Sequence, residues 1–344
     1  MQPECLRTVY LLGSAETGHL GHVSLGADGK VKGDDDPKRA RFGFQGAHAE
    51  RFYFLNATGE KQARLRYCAP ANAFFPDDYS GLYLVPLLTL EPPREAVGSA
   101  RLLVNTIPKS GTYLLDLVLT EIGYHGLGLH LIPHECHDNR GQNPDTMHRD
   151  PFSRRIFAPA AAVARAMAAG EFALGHVGDE VQIKQVSESG VGVINCRRNL
   201  RDVVASLFHF KRKSVDPQAP SDHLWRRLEG GDGFLGFLCA YGETELADIA
   251  KFATMMPALP GVSLRFEELA QGRIPEQQRE ELDQLDYGLG LMIAECLPAC
   301  LGRQSSTLSS RRADWRKLWS PAAEEFFDRS GLLEANRGLG YEIG

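Results

Sequence analysis

Residues 8 to 90 alternate between short apolar runs and polar residues that form turns, and helical spacing is absent. The strands that this pattern predicts are Thr8–Leu12, His22–Leu25, Lys30–Val31, Arg41–Phe44, Arg51–Leu55 and Gln62–Tyr67. Asp28-Gly29 lies between two of them and is a strong hairpin signal, because this dipeptide adopts the backbone angles of tight hairpin turns. We therefore predict a small antiparallel β module over residues 1–95.

The pattern changes beyond this module. Glu91–Glu95 combines two prolines with charged residues, which favours an extended linker. Arg101–Ile107 is then a short run of branched apolar residues, and Gly111–Ile122 repeats its apolar residues at helical spacing. Strand, loop and helix in this order form the unit of a parallel sheet. We predict an α/β domain over residues 96–344, with a parallel sheet flanked by helices.

Further segments continue this alternation of strand and helix. The pattern predicts strands at Val181–Ile183, Gly192–Cys196 and Val262–Phe266, and helices at Ala158–Ala169 and Asp202–Phe210. Residues 123–150 are rich in His, Gly and Asn and follow neither period. We predict that this segment is an irregular connection over the edge of the sheet.

The composition adds limits on size and partners. Of the 344 residues 43% are hydrophobic, which allows a substantial core. The 44 acidic and 38 basic residues give a formal charge of −6 and form no long block of either sign. This distribution argues against a surface that coats nucleic acid. Any anion site must therefore be local.

The chain shows no signal for a membrane or for secretion. No apolar stretch is long enough to span a bilayer, and the first residues lack a basic flank followed by an apolar core. The seven cysteines are scattered, odd in number and without a C-x-x-C pair, which is typical of thiols in a reducing compartment. We expect a cytoplasmic protein, and the pattern leaves its oligomeric state unknown.

Val104–Thr112 places a polar loop between a predicted strand and a predicted helix. The backbone N–H groups and the positive end of such a helix point at one place, where an anion can bind. Ser110 and Gly111 permit close backbone approach, and Lys109 supplies a full positive charge. The lysine precedes the glycine, unlike in the loop of nucleotide triphosphatases. An ordinary turn before a helix is the alternative interpretation.

A second basic segment, Arg197–Ser206, follows the predicted strand Gly192–Cys196. Its guanidinium and hydroxyl groups are able to hold a phosphate, because arginine matches phosphate oxygens in a bidentate fork. The alternative interpretation is a capped amphipathic surface helix with exposed arginines.

Together the two segments resemble the sulfotransferase family that depends on 3′-phosphoadenosine 5′-phosphosulfate (PAPS). The family's 5′-phosphosulfate loop reads P-K-[ST]-G-T, and its 3′-phosphate segment reads R-N-x-x-D-x-x-x-S. Pro108–Thr112 and Arg198–Ser206 match these motifs in the family's order. The resemblance covers about residues 100 to 320 and implies a P-loop-like α/β fold. It also implies transfer of a sulfuryl group from PAPS to a hydroxyl or amine, without a metal.

The resemblance implies donor-binding roles residue by residue. These are Lys109, Ser110, Gly111 and Thr112 at the 5′-phosphosulfate, Arg198 and Ser206 at the 3′-phosphate, Phe266 against the adenine, Arg311 and Arg312 in the closing segment, and Tyr113 as a further donor-binding residue. The family closes over the donor with R-K-G-x-x-G-D-W, of which this chain retains Asp314-Trp315. Leu308–Ser310 stands in place of R-K-G, so the two arginines would reach the phosphate instead. A buried strand residue is the alternative for Phe266.

His176 is the base that the resemblance implies. It stands where cytosolic members carry the histidine of a K-T-H-x-P segment, although Leu174 and Gly175 replace the lysine and threonine. Lys109 would then be the chief cation. A histidine near its ordinary pKa of about 6.5 accepts a proton readily at neutral pH. The alternatives are a structural role for His176 at a strand end and Glu135, Glu171 or Glu180 as the base.

The cluster His130, His134, Glu135, Cys136 and His137 suggests a metal site. Its spacing matches no familiar zinc pattern, so we prefer a polar loop at the acceptor site and predict no metal.

Two other functions fit the same motifs. A nucleotide-dependent kinase or other phosphotransferase would need a divalent metal. A nonenzymatic protein would use the β module to bind a glycan while the α/β domain holds a nucleotide. For a sulfotransferase, the sequence leaves a small molecule, a glycan and a lipid open as acceptors.

Overall fold

The protein is described by a computed structural model that covers residues 3–45, 51–78, 80–132, 135–140, 155–214, 216–217, 220–301, 303 and 314–341. No helix in these ranges is long and apolar enough to cross a membrane. All seven cysteines have free thiols, as the scattered pattern predicts.

The first part of the chain is one antiparallel sheet of eight strands in the order β3-β2-β1-β8-β7-β6-β5-β4. The strands are β1 (Thr8–Ser14), β2 (Gly18–Leu25), β3 (Val31–Lys32), β4 (Arg41–Gln45), β5 (Arg51–Leu55), β6 (Lys61–Cys68), β7 (Ala73–Pro76) and β8 (Leu82–Thr89). A bridge between Lys30 and Arg41 brings the two edges together. Inside lie buried aromatic rings such as Phe52 and Phe74, whose centroids are 4.7 Å apart. The first part of the chain is thus antiparallel, as predicted, but its sheet of eight strands is larger than the predicted small module, and β7 and β8 were not predicted.

The second sheet has the order β12-β11-β10-β13-β9-β14-β15. Its strands are β9 (Leu102–Thr106), β10 (His125–Ile132), β11 (Glu135–Asp138), β12 (Arg155–Ile156), β13 (Glu171–Gly175), β14 (Gly192–Arg197) and β15 (Val262–Arg265). Strands β10, β13, β9, β14 and β15 run parallel, which confirms the parallel sheet for this part. At one edge β11 and β12 pair antiparallel, so the sheet as a whole is mixed.

Helices flank the second sheet. They are α1 (Thr112–Glu121), α2 (Ala160–Ala166), α3 (Glu180–Glu188), α4 (Leu200–Ser214), α5 (Asp222–Trp225), α6 (Gly230–Tyr241), α7 (Glu245–Met255), α8 (Phe266–Leu269), α9 (Glu276–Leu285), α10 (Leu289–Leu301), α11 (Pro321–Arg329) and α12 (Leu332–Gly338). Single 3-10 turns occur at Pro3–Arg7, Pro37–Arg39, Ala69–Ala71, Met256–Ala258 and Trp315–Lys317.

Two secondary-structure predictions are wrong. Val181–Ile183 lies in α3, because the Asp179 side chain accepts a hydrogen bond from the Gln182 N–H and starts a helix there. A three-residue apolar run does not distinguish a strand from a helix. The segment 123–150, predicted to be irregular, contains β10 and β11; its residues 141–150 lie outside the described ranges. Neighbouring strands supply the ladder partners that form β10, and that pairing is not visible in local sequence.

The two sheets share a buried core. Val9, Leu88 and Leu90 of the first part pack in one apolar cluster with residues of β9, β10 and α2. Beside this cluster, Arg7 forms a bidentate ion pair with Glu171 at the start of β13, with N···O distances of 2.6 and 2.9 Å. Both side chains are buried, so the module is joined to the second sheet by packing and by a desolvated ion pair.

Candidate active site

The loop between β9 and α1 has a constrained backbone. Lys109 has φ +67° and Gly111 has φ +96°, both in the left-handed region that favours glycine. A Cβ added at Gly111 would lie 2.8 Å from Cδ2 of Phe266, so only glycine fits against that ring. The loop therefore presses its backbone against the aromatic residue that follows β15.

The start of α1 offers donors to an anion. The first N–H groups of a helix have no partner within it, and the helix dipole adds partial positive charge there. Ser110 is fully buried beside this end, and within the described ranges nothing hydrogen-bonds to its Oγ. The Thr112 Oγ1, by contrast, lies 2.6 Å from Thr106 Oγ1. A buried hydroxyl without a partner suits a ligand oxygen at this point.

The two basic motifs are in direct contact. Arg198 follows β14, the neighbour of β9, and its Nη1 donates a hydrogen bond of 2.9 Å to the Lys109 carbonyl. Its guanidinium lies 4.5 Å from the centroid of the Phe266 ring. Desolvation lowers the pKa of Arg198, and desolvation together with the Arg198 charge lowers the pKa of Lys109 to about 8. A buried guanidinium and a half-buried, desolvated ammonium thus belong to two loops in direct contact, an arrangement that favours an anionic ligand.

Ser206 lies on α4, one helical turn before Phe210. The two residues share a helix face because they are four positions apart. The Phe210 ring centroid is 4.0 Å from the Lys109 Nζ, so this face of α4 is directed at the loop. Tyr113 is half-buried in the first turn of α1, and desolvation raises its pKa to about 12.

His176 follows β13 and is held by the neighbouring strands. Its backbone N–H donates to the Leu131 carbonyl at 2.7 Å, and its Nδ1 lies 2.6 Å from the Thr106 carbonyl. A carbonyl only accepts, so Nδ1 carries the proton and Nε2 keeps its lone pair. Desolvation lowers the pKa of His176 to about 4, so the ring is neutral at physiological pH. His176 is thus a histidine bonded to the backbone through Nδ1, and its pKa lies below the ordinary value of about 6.5 that the sequence interpretation assumed.

Two rings lie close to His176, one on β10 and one on α7. The His130 and Phe252 rings have centroids 4.4 and 6.2 Å from that of His176. His137 is the cross-strand partner of His130, and its Nε2 lies 3.6 Å from Glu135, which is buried in a bidentate ion pair with Arg155. Within the described ranges no group of three His, Cys, Asp or Glu residues is placed to hold a metal ion. His134 lies outside those ranges.

Of the three glutamates considered as alternative bases, two are held in ion pairs and one is exposed. Glu171 is buried in its ion pair with Arg7, and Glu135 is paired with Arg155. Glu180 is exposed in the first turn of α3. Of the predicted closing segment, Arg311 and Arg312 lie outside the described residues.

Sequence reasoning missed several residues that shape this site. Phe210 contacts Lys109, and its spacing from Ser206 was the available signal. Glu267 accepts hydrogen bonds from the Asn199 N–H and from the Tyr341 hydroxyl, which ties the chain end to the start of α4. Arg201, within the basic motif, is buried and pairs with Glu324 instead of facing the loop.

Comparison with known proteins gives one family and some distant folds. Residues 99–250 match the family model described as sulfotransferase domain. No curated protein matches the chain significantly. A mouse sulfotransferase, SULT7A1, complexed with PAP is 14% identical, with 71% of this chain and 89% of that chain covered and a TM-score of 0.40. A retinol dehydratase in complex with androsterone and inactive cofactor PAP is 13% identical, with 72% and 83% covered and a TM-score of 0.37.

The family match rests on the sequence itself and spans the loop before α1, His176 and the basic motif at the start of α4. Over residues 99–250 this chain is therefore similar to the sulfotransferase domain family.

Proposed function

We propose that the protein transfers a sulfuryl group from PAPS to a hydroxyl or amine of an acceptor and releases 3′,5′-diphosphoadenosine. The observation that carries this proposal is the contact between Lys109 and Arg198 at the ends of the adjacent strands β9 and β14. Two anionic groups of one donor molecule would need cations at two such neighbouring points.

The residues at the site fit this donor. The start of α1, with the unpartnered Ser110 Oγ and the Thr112 hydroxyl, would hold the 5′-phosphosulfate. Arg198 and Ser206 would hold the 3′-phosphate, and the Phe266 ring would stack on the adenine. Such stacking is favourable for any base because every base presents a π-face.

Lys109 and His176 would carry the chemistry on the protein side. PAPS supplies an activated sulfuryl group whose bond to the phosphate oxygen breaks as the bond to the acceptor oxygen or nitrogen forms. Lys109 would stabilise the charge that develops on the phosphate oxygen, and the His176 Nε2 would take the acceptor proton. The Nδ1 bond to Thr106 fixes the tautomer that this role requires.

The proposal specifies the acceptor only by its chemical class. The His130 and Phe252 rings beside His176 form the side from which an acceptor would approach. A glycan, a small natural product and a lipid are the three candidate classes, and an acceptor screen with radiolabelled PAPS distinguishes them. A cytoplasmic location is part of the same proposal, since the cysteine pattern is typical of a reducing compartment.

The donor site is tested by calorimetry with 3′,5′-diphosphoadenosine. Lys109→Ala and Arg198→Ala should each weaken binding by about 2 kcal/mol or more, because each removes a charged partner of the donor. Lys213→Ala, an exposed cation at the end of α4, is the matched control and should bind normally. Equal binding by all variants would refute the site.

The same preparation separates the alternative functions. Activity that depends on ATP and divalent metal but not on PAPS would favour a phosphotransferase. Retained PAPS binding with no turnover on any acceptor class would favour the nonenzymatic protein.

A further inference from the structure

The Lys109 ammonium contacts an aromatic ring. Its Nζ is 4.0 Å from the centroid of Phe210, within the range of a cation–π interaction. Among the described residues, no carboxylate forms an ion pair with Lys109. Within the described part of the protein, the Phe210 ring of α4 is therefore the contact that favours the Lys109 charge.

The surroundings otherwise work against the charged form of Lys109. Burial and the nearby Arg198 lower its pKa to about 8, so part of the population would lose its charge slightly above neutral pH. A carboxylate beside the lysine would restore the charge, but it would also repel an anionic donor and compete with it. An aromatic face attracts the ammonium through its quadrupole and carries no net charge.

We propose that Phe210 is a positioning residue of the sulfuryl-transfer site: its ring holds Lys109 charged and beside the phosphosulfate loop before the donor binds. This inference rests on the proposed function, because it assigns Lys109 to the donor. It goes beyond the motif residues, since Phe210 lies in none of the matched positions. The donor's negative charge would then draw a preformed ammonium off the ring.

Among the described residues, few other charged or titratable groups face Lys109. Arg198 approaches from β14, and His176 approaches from β13 as a neutral ring, because desolvation lowers its pKa to about 4. On α4, Lys211 is engaged elsewhere, with Glu245 at 2.5 Å and the Tyr241 ring at 4.1 Å. Within the part of the chain that the structure describes, burial, Arg198 and the Phe210 ring are thus the influences on the charge state of Lys109.

The direct test is an NMR titration of Lys109 in the donor-free protein, with lysine side chains labelled and the signal assigned by Lys109→Met. Phe210→Leu keeps an apolar side chain but removes the ring, so the Lys109 titration should move to lower pH by about one unit. Phe210→Trp should leave the titration at or above its original pH. An unchanged titration in Phe210→Leu overturns the inference.

A matched control comes from the module. The Lys61 Nζ lies 4.0 Å from the centroid of the Tyr53 ring, the same distance in the other sheet. Tyr53→Leu should leave the Lys109 titration unchanged. A shift as large as that of Phe210→Leu would show a general effect of loosened packing and would overturn the inference.

Donor binding separates this inference from the proposed function. As the pH rises, binding of 3′,5′-diphosphoadenosine should begin to weaken in Phe210→Leu at a lower pH than in the unmodified protein. Binding with identical pH dependence in both overturns the positioning role and leaves the proposed function standing. An NMR shift without any donor binding overturns the proposed function, and with it the role of the ring in catalysis.

Discussion

At the scale of single residues, the site is defined by side chains whose protonation depends on burial. His176 is neutral because desolvation lowers its pKa to about 4, and its Nδ1 is committed to the Thr106 carbonyl. Lys109 is also desolvated and stands beside Arg198. Desolvation therefore lowers the pKa of both the proposed base and the proposed cation, which favours their neutral forms.

Replacing His176 should remove turnover and spare donor binding. His176→Ala should lower the turnover number by a factor of about 10² to 10⁴, the usual contribution of a positioned base. Affinity for 3′,5′-diphosphoadenosine should stay nearly intact, because the proposed role of His176 lies on the acceptor side. Steady-state kinetics and calorimetry measure the two effects, with the exposed His19→Ala as control. A fully active variant would remove His176 from the mechanism.

Donor affinity should depend on pH through Lys109. The lowered pKa of about 8 means that the lysine is charged below this pH and loses its proton above it. Binding of 3′,5′-diphosphoadenosine should thus be constant near neutral pH and weaken as the pH rises past about 8. Calorimetry from about pH 6.5 to about 9.5 covers this range. A decline only near the ordinary lysine pKa of about 10.4 would contradict the prediction.

At the scale of elements, α4 joins the site to the C-terminal helices. Arg201 on α4 is buried, with its guanidinium 4.9 Å from the Phe327 ring centroid and paired with Glu324 of α11 at 2.5 Å. The Trp319 Nε1 donates to the same carboxylate at 2.5 Å. This ion pair therefore joins α4, the helix that carries Ser206 and Phe210, to α11.

The Arg201–Glu324 ion pair predicts different effects on stability when Glu324 and the adjacent Glu325 of α11 are replaced. Glu324→Ala leaves the buried Arg201 guanidinium without its carboxylate and should lower the free energy of unfolding by about 2 kcal/mol. Glu325 pairs with Arg329 at 3.8 Å with both side chains largely exposed, so Glu325→Ala should change stability little. Urea unfolding of both variants measures the difference. Equal stabilities would show that the Arg201–Glu324 pair contributes nothing.

Element prediction succeeded where local signals were sufficient. The alternation of strand, polar loop and helix placed β9 and α1 close to their observed bounds. Prediction failed at Val181–Ile183, where a capped helix contains a short apolar run, and at β10 and β11, where the strands depend on partners. The site residues follow the same division, since Lys109 and Arg198 lie in recognisable motifs and Phe210 does not.

At the scale of the whole molecule, the antiparallel module packs on the second sheet. We propose that the boundary between two units falls near residues 95 and 96, between the end of β8 and the start of β9. Arg7 also donates to the Glu91 carbonyl at 2.7 and 3.1 Å and to the Ala166 carbonyl at 3.3 Å. The proposed units are thus linked by a buried network as well as by apolar contact.

Breaking this link should destabilise the protein strongly. Glu171→Ala leaves the buried Arg7 charge uncompensated and should cost about 3 kcal/mol or more of unfolding free energy. Arg7→Met combined with Glu171→Leu removes both charges and should recover much of that loss. Urea unfolding compares the single and double variants. A single variant as stable as the unmodified protein would mean that the ion pair does not hold the module.

The sequence by itself indicated the parallel part of the second sheet, the antiparallel pairing of the first and the two basic motifs, but not the antiparallel edge of the second sheet or the strands β7 and β8. The indicated features depend on local order and on residue type, since a strand followed by a polar loop and a helix gathers its donors within a few residues. Only the tertiary structure brought Arg198 and Phe210 to Lys109, oriented the His176 Nε2, and committed Glu171 to Arg7. Each of these contacts joins residues far apart in the chain, so it forms only when the whole set of elements packs together.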